Sequence, residues 1–207
     1  MSMRHHTLKP EGFRFLTVGY LALSVLSLAS GCVFREPFPE EWEAVQESSG
    51  ECPKIAGIYK NLGQLDPSLI EKGQYTAYWE IPLTGELFYD ENGKEVVSAT
   101  HVEISQPKPG VIYVTAWNES EMVAQANFFR DEGDFKCKSG FVVFHIATNC
   151  GGTPEAFGCG SRNDHFTTSS DGALIMRVNE KGVAAVMIFL PAAVSDWRWY
   201  RFELMTP

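Results

Sequence analysis

Short runs of β-branched and aromatic residues alternate with turn-forming residues from Ile55 to the end of the chain. Such runs predict β-strands, and the turn residues between them predict connections between strands that are neighbours in sequence. We therefore expect a mainly β fold, an antiparallel meander that forms a barrel or a sandwich. The predicted strands are 55–62, 75–81, 86–90, 95–98, 101–105, 111–117, 122–130, 141–146, 164–168, 173–179, 183–190 and 197–204.

The clearest turn signal is Asn92-Gly93. Both residue types tolerate the positive φ that a type I′ hairpin turn requires, so a hairpin is expected there. One short helix is predicted at 66–73, which has an acidic cap, a proline in its first turn and a glycine after its end. A second short helix would begin at Pro39. Further turns are predicted at 107–110, 131–133, 170–172 and 179–182.

The first 31 residues have the three-part pattern of an export leader. Residues 1–14 contain more basic than acidic side chains, and residues 15–29 contain no charge. This apolar run is shorter than the roughly 20 residues that a membrane-spanning helix needs. Small residues then precede Cys32 in the sequence Leu28-Ala29-Ser30-Gly31-Cys32.

This pattern resembles the leader and lipobox of bacterial lipoproteins, although Ala29 stands where leucine is commonest in that family. The resemblance covers only the N-terminal region. It implies that residues 1–31 are removed and that Cys32 receives a diacylglyceryl group and an amide-linked acyl chain such as palmitate. Val33, in place of aspartate, implies the outer membrane, on its periplasmic or surface side. The alternative is an ordinary secretory leader, with Cys32 as one half of a disulfide.

Without residues 1–31, the 207-residue chain keeps 176 residues, a length that suits one domain. We expect a lipidated tether at 32–51, reaching roughly 25 Å as coil, and a single β-rich domain at 52–207. The mature chain carries 14 Lys and Arg against 25 Asp and Glu, a formal charge of −11. This charge excludes nucleic acid as a partner class. The expected partners are the membrane, through the lipid on Cys32, and an envelope protein.

Four cysteines remain if Cys32 carries lipid, an even number that suits a compartment in which thiols are oxidised. Three disulfide connectivities are then open. A bridge between Cys150 and Cys159 is favoured because it closes a short loop, and Cys52 would then pair with Cys137. The spacing lacks the CxxC and HxxxH patterns of zinc sites.

The familiar catalytic and nucleotide-binding fingerprints are missing: the sequence has no GxSxG, Walker loop, HExxH or GxGxxG after a strand. We therefore expect no enzymatic activity, no catalytic residue, no cofactor and no metal. The alternative is a hydrolytic relay of Asp164 and His165 with Ser161 or Thr167. Adjacent residues of a strand face opposite sides, which disfavours that relay. For the histidines of the mature chain we favour a structural role, as surface residues or as core residues with hydrogen-bond partners. These histidines are His101, His145 and His165.

The last predicted strand is rich in aromatic and arginine side chains. Trp197 and Trp199 would share one face, and Tyr200 would lie on the other. In the structural interpretation the strand fills the end of the core, and an arginine stacks over an indole. In the functional interpretation a ligand or partner surface is formed by Trp197, Trp199, Tyr200 and Arg201.

The sequence Gly57-Ile58-Tyr59, together with Arg201, resembles lipocalin-type barrels. In that family the first strand has Gly-x-Trp and the last strand supplies an arginine that packs on it; here Tyr59 replaces the tryptophan. The resemblance implies a barrel that carries a small apolar ligand. The overall pattern is also similar to envelope lipoproteins of proteobacteria. Our leading hypothesis is a lipid-anchored envelope protein whose β domain is a binding or structural module, with a lipocalin-like carrier as the alternative.

Overall fold

The computed structural model describes residues 32–33, 37–46, 52–71, 80–88, 99–153, 156–186 and 190–206. These residues are mainly β, as predicted, with two short helices, α1 (Pro67–Glu71) and α2 (Leu83–Leu87). No helix among them is both long enough and apolar enough to cross a membrane. The strands are β1 (Cys32–Val33), β2 (Gly57–Lys60), β3 (Leu62–Leu65), β4 (Glu80–Pro82), β5 (His101–Lys108), β6 (Val111–Asn118), β7 (Glu121–Phe129), β8 (Phe135–Lys138), β9 (Phe141–Thr153), β10 (Ala156–Thr168), β11 (Leu174–Val186) and β12 (Leu190–Phe202).

The strands form two sheets. The large sheet has the order β4-β3-β12-β11-β10-β9-β8, and β1 is added in parallel beside β12. The small sheet has the order β2-β5-β6-β7, and its pairs are antiparallel. In the described part of the chain neither sheet closes on itself, so the sandwich, and not the barrel, is the architecture.

The core lies between the two sheets and follows from the period-two alternation of apolar residues along the strands. In β5 the buried residues are Val102 and Ile104, while the intervening Glu103 is half-buried on the other face. Phe166 of β10 and Met176 of β11 are register partners, and both are fully buried in the large sheet. Further members of this core are Ile112, Val114, Phe144, Leu174, Val178, Tyr200 and Phe202.

Asn61 connects the two sheets. It stands between β2 of the small sheet and β3 of the large sheet, and it is buried. Its side-chain amide donates to the carbonyl of Ala99 at 2.9 Å, and its side-chain oxygen accepts from the backbone N–H of Thr84 at 2.9 Å. Its own carbonyl accepts from the N–H of Leu83 at 2.7 Å. One residue therefore fixes both the crossing between the sheets and the start of α2.

The strands β9 to β12 are much longer than predicted, with 13 residues each. The predicted turn at 179–182 is wrong, because β11 continues through it. Each of these four residues pairs on one side with β10 and on the other with β12. Backbone hydrogen bonds on both sides outweigh the local turn preference of asparagine and glycine.

Other boundaries also differ from the predicted ones. The strand predicted at 55–62 is divided at Asn61, and Glu86, expected in a strand, lies in α2. A helix predicted at 66–73 is observed as α1, from Pro67 to Glu71, and residues 72–73 lie outside the described residues. The turns predicted at 107–110, 131–133 and 170–172 each contain a glycine at positive φ, although β5 extends to Lys108 and a 3-10 helix forms at Arg130–Glu132. The hairpin predicted around Asn92-Gly93 lies outside the described residues.

Residues 37–46, expected to be part of a tether, lie on the large sheet. Pro39 is buried, and the Phe38 ring meets the Trp199 ring edge-on at a centroid distance of 5.2 Å. Val45 forms a β-bridge with Ser169. The helix expected from Pro39 is absent over these residues. This stretch is therefore packed against the domain and does not extend away from it.

Two disulfides occur in the connectivity that the sequence favours. Cys52 bonds to Cys137, which joins the start of the domain to β8. Cys150 bonds to Cys159 across the β9–β10 pair, where the two residues are register partners. The first bridge closes a separation of 85 residues and the second one of 9. The longer bridge therefore restricts the unfolded chain more.

We predict that Asn61→Ala lowers the free energy of unfolding by about 2–4 kcal/mol, because two side-chain hydrogen bonds are lost at buried sites. Urea denaturation followed by tryptophan fluorescence measures the change. Asn127→Ala, at an exposed position of β7, is the matched control and should change stability by less than about 0.5 kcal/mol. Equal effects of the two substitutions would contradict the role assigned to Asn61.

Candidate functional site

Cys32, the predicted acylation site, lies at the edge of the large sheet. It is the register partner of Val194 on β12, and Val33 is the partner of Ser195. The two strands are parallel, and β12 begins at Leu190, so the N-terminal end of β1 points toward the β11–β12 connection. A lipid on Cys32 would therefore begin beside this end of the sheet.

A cluster of two acids and one arginine occupies the core-facing side of the large sheet. Arg162 and Asp164 are two residues apart on β10 and therefore share a face. The Arg162 guanidinium donates from Nε to Asp164 Oδ1 at 2.9 Å and from Nη2 to Asp164 Oδ2 at 3.1 Å. Nη2 also pairs with Glu86, which α2 brings over the sheet. We call these three residues the acid–arginine cluster.

The acid–arginine cluster places two carboxyl groups around one guanidinium in a buried position. The pKa of Glu86 is raised to about 8, mainly by burial and also by the charge and hydrogen bond of Asp164, and Arg162 opposes this rise. Burial also raises the pKa of Asp164, again opposed by Arg162. Because a second negative charge is disfavoured there, the pair favours holding one proton near neutral pH.

A pocket of about 230 Å³ adjoins the acid–arginine cluster. Its polar groups can form hydrogen bonds or an ion pair, and its aromatic and aliphatic side chains can contact an apolar body. The volume is below the roughly 300–1,000 Å³ typical of drug-sized ligand sites. It is lined by Glu86, Leu87, Phe128, Asp134, Phe144, His145 and Ile146.

A second cluster, the Arg177 stack, lies on the opposite face of the large sheet. The Arg177 guanidinium lies 4.4 Å from the centroid of the Trp197 ring and 4.6 Å from that of the Phe141 ring. It also donates to Nδ1 of His165 at 3.1 Å. Burial, and then the charge of Arg177, lowers the pKa of His165 to about 4. The imidazole is therefore neutral at physiological pH and can accept this hydrogen bond.

The hydrolytic relay considered from the sequence is not assembled. Asp164 faces the core with Arg162, whereas His165 faces the other side of the sheet with Arg177. His145 instead contacts Asn163. Within the described ranges no group of three His, Cys, Asp or Glu residues is arranged to hold a metal ion.

The closing strand β12 has the predicted distribution of faces, and the structural interpretation is favoured. Tyr200 lies in the core, and Trp199 is buried beneath Phe38. These two residues are too buried to form the ligand or partner surface considered from the sequence. Trp197 is half-buried beneath Arg177, so an arginine of the neighbouring strand β11 stacks over this indole.

Arg201 also differs from what the lipocalin resemblance implies. It lies on the outer face of the large sheet, where it donates to Asp171 Oδ2 at 2.6 Å. Tyr59 lies in the core, and its hydroxyl donates to the carbonyl of Ile55 at 3.1 Å. The arginine and the ring therefore lie on opposite sides of the large sheet and do not pack on each other.

Sequence reasoning did not single out the acid–arginine cluster. The Arg162-Asn163-Asp164 spacing was a usable signal, because residues two apart on a strand face the same way. Glu86 gave no such signal: it is 76 residues away from Arg162 in the chain, and it was expected in a strand.

Comparison of the chain with protein-family models, with curated proteins and with solved structures finds no match. The function is therefore argued from the residues and their placement alone.

We predict that Glu86 makes the protein less stable as the pH rises. Its folded-state pKa of about 8 exceeds the ordinary value of 4.5, so its contribution is fully present below pH 4.5 and is lost as the pH rises through 8. Urea denaturation midpoints between pH 5 and pH 9 should fall in the wild type and fall distinctly less in Glu86→Gln.

Glu80→Gln is the matched control, because Glu80 is exposed on β4. This variant should follow the pH dependence of the wild type. A Glu86→Gln protein that retains the full pH dependence would refute the assignment.

Proposed function

We propose that this protein is a lipid-anchored component of a bacterial cell envelope, with Cys32 as the acylated residue. The observation that supports this proposal is the leader pattern that ends at Cys32, in which an uncharged apolar run is followed by small residues. The position of Cys32 at the edge strand β1 is compatible with this role, because a sheet edge leaves room for an attached lipid.

Acylation with several chains accounts for stable membrane attachment. Each buried methylene contributes about 0.8 kcal/mol, and a single myristoyl chain gives only marginal binding. The mature chain has a formal charge of −11, so its surface would be repelled by anionic lipid headgroups. The lipid on Cys32, and not electrostatic attraction, would therefore hold the protein at the membrane.

We propose further that the β domain acts as a binding or structural module for another envelope component. The acid and the imidazole that were considered for catalysis, Asp164 and His165, both make structural contacts. Asp164 is held by Arg162 in the core, and His165 accepts from Arg177 on the outer face. These contacts support a module whose polar clusters stabilise the fold.

The alternative proposal is a lipocalin-like carrier of a small apolar ligand. Core side chains such as Phe144, Phe166 and Met176 fill the space between the sheets. A ligand would therefore have to occupy the pocket beside Glu86, whose volume suits only a small molecule. Native mass spectrometry of protein extracted from its own membranes tests this proposal, because a carrier should retain a bound compound and a structural module should not.

We predict that the wild-type protein incorporates a fatty-acid probe during growth and that Cys32→Ala does not. The probe is detected on the purified protein, and mass spectrometry of the N-terminal peptide identifies the modified residue. The double variant Cys150→Ala/Cys159→Ala is the matched control, since it also loses cysteines but should keep the label. Detection of the fatty-acid probe on the Cys32→Ala protein would refute the proposed lipid anchoring. An unmodified Cys32 in the mature wild-type protein would refute it as well.

A further inference from the structure

The large sheet extends beyond the region that the small sheet covers. Its strands β9 to β12 have 13 residues each, whereas β5 and β6 of the small sheet have 8. The core residues of β9 to β12 lie in the half nearest β8 and β3, and none of the described core residues lies in the other half. We call that other half the arm: residues 147–153, 156–160, 182–186 and 190–195.

Among the arm residues whose burial is described, half are exposed, half are half-buried and none is buried. Val183, on β11, is 60% exposed, and its register partner Ala193 is also exposed. Thr148 and Cys150 are exposed on β9. A β-sheet end with exposed apolar side chains often marks a contact with another apolar phase or molecule.

The arm is almost free of charge. Residues 182–186 and 190–195, with the sequences GVAAV and LPAAVS, are uncharged and mainly apolar; we call these two paired strand ends the apolar hairpin. Residues 147–160 contain Glu155 as their only charged residue. Charged side chains return together at the base of the arm: Arg162, Glu180, Lys181, Asp196 and Arg198. The boundary between apolar and charged residues therefore falls at one level across three adjacent strands.

The position of Cys32 relates this boundary to a membrane. Cys32 pairs with Val194, four residues from the first residue of β12, Leu190. At about 3.4 Å per residue, the described end of the apolar hairpin extends about 14 Å beyond Cys32. One leaflet of the hydrocarbon core is about 15 Å thick, half of the roughly 30 Å of a bilayer. A diacylglyceryl group on Cys32 has its glycerol at the headgroup level, so the part of the hairpin beyond Cys32 has the length of one leaflet.

The direction of the chain agrees with this placement. Because β1 is parallel to β12, the N-terminus of Cys32 points toward the apolar end and not toward the charged base. Acyl chains leaving that terminus would run alongside the hairpin. Crossing the whole bilayer would need about 9–11 residues per strand, more than lie beyond Cys32, so the hairpin can enter only one leaflet.

We propose that the apolar hairpin inserts into the membrane leaflet that holds the lipid on Cys32, so that the protein is attached by a lipid and a protein element side by side. This inference rests on the proposed lipid anchoring. The apolar hairpin then adds buried apolar area to the affinity of the acyl chains, and the charged base of the arm lies at the membrane surface.

The test uses the full-length protein, purified from bacterial membranes and reconstituted into vesicles of phosphatidylethanolamine and phosphatidylglycerol. A trace phospholipid carries a diazirine near the end of one acyl chain, and mass spectrometry maps the photoadducts. Adducts on the peptide that contains residues 182–195 should exceed those on β6 at least about tenfold, as expected for residues inside and outside hydrocarbon. The same spectra report whether Cys32 is acylated.

Matched variants separate insertion from chance contact. Val183→Lys/Ala193→Glu places an ion pair at two exposed, facing positions, and it should lower hairpin adducts about tenfold because charge is disfavoured in hydrocarbon. Met122→Lys charges an equally exposed side chain on the small sheet and should leave the adducts unchanged. The wild-type measurement stands by itself if either variant folds poorly.

The two proposals fail in different ways. An acylated Cys32 without adducts on the apolar hairpin overturns insertion and leaves lipid anchoring intact. This outcome includes a hairpin covered by another envelope protein or by a second copy of the chain. An unmodified Cys32 overturns the proposed function and this inference with it.

Discussion

The continuous pairing of β11 with β12 is the interaction on which the rest of the structure depends. Thirteen consecutive residue pairs join these strands, and thirteen more join β11 to β10. Because the small sheet is shorter, one half of these strands forms a wall of the core, and none of the described core residues lies in the other half. The same backbone hydrogen bonds therefore support two regions with different surroundings.

The acid–arginine cluster and the neighbouring Arg198 lie where these surroundings change. The acid–arginine cluster ends the apolar core on the inner face of the large sheet. Beside it, Arg198 pairs with Glu180 at 2.6 Å and with Asp196 at 3.1 Å. A buried charge costs less when an opposite charge is paired with it. At this boundary Arg162 and Arg198 each pair with carboxyl groups, so the charged groups at the end of the core are held as pairs.

The sequence predicts the fold class, several turns and the disulfide connectivity, because these depend on local alternation, on glycine at positive φ and on cysteine spacing. It does not predict the length of β9 to β12. The residues at 179–182 have turn preferences of their own, and only the two neighbouring strands make them extended. The acid–arginine cluster depends on the contact of Glu86 with Arg162, residues far apart in the chain, so no local pattern could reveal it. The location of Cys32 beside Val194 likewise follows from the pairing of distant segments.

The packing of residues 37–46 on the large sheet has a consequence for how such a protein would move once anchored. Between β1 and this stretch lie only residues 34–36, which can span at most roughly 11 Å. An acylated Cys32 would thus be connected to the domain without a long flexible linker. The domain could therefore neither reorient freely nor move far from its attachment point. Rotation about the membrane normal and lateral diffusion would be its main freedoms. A partner would meet it within a thin layer next to the bilayer, always from the same side.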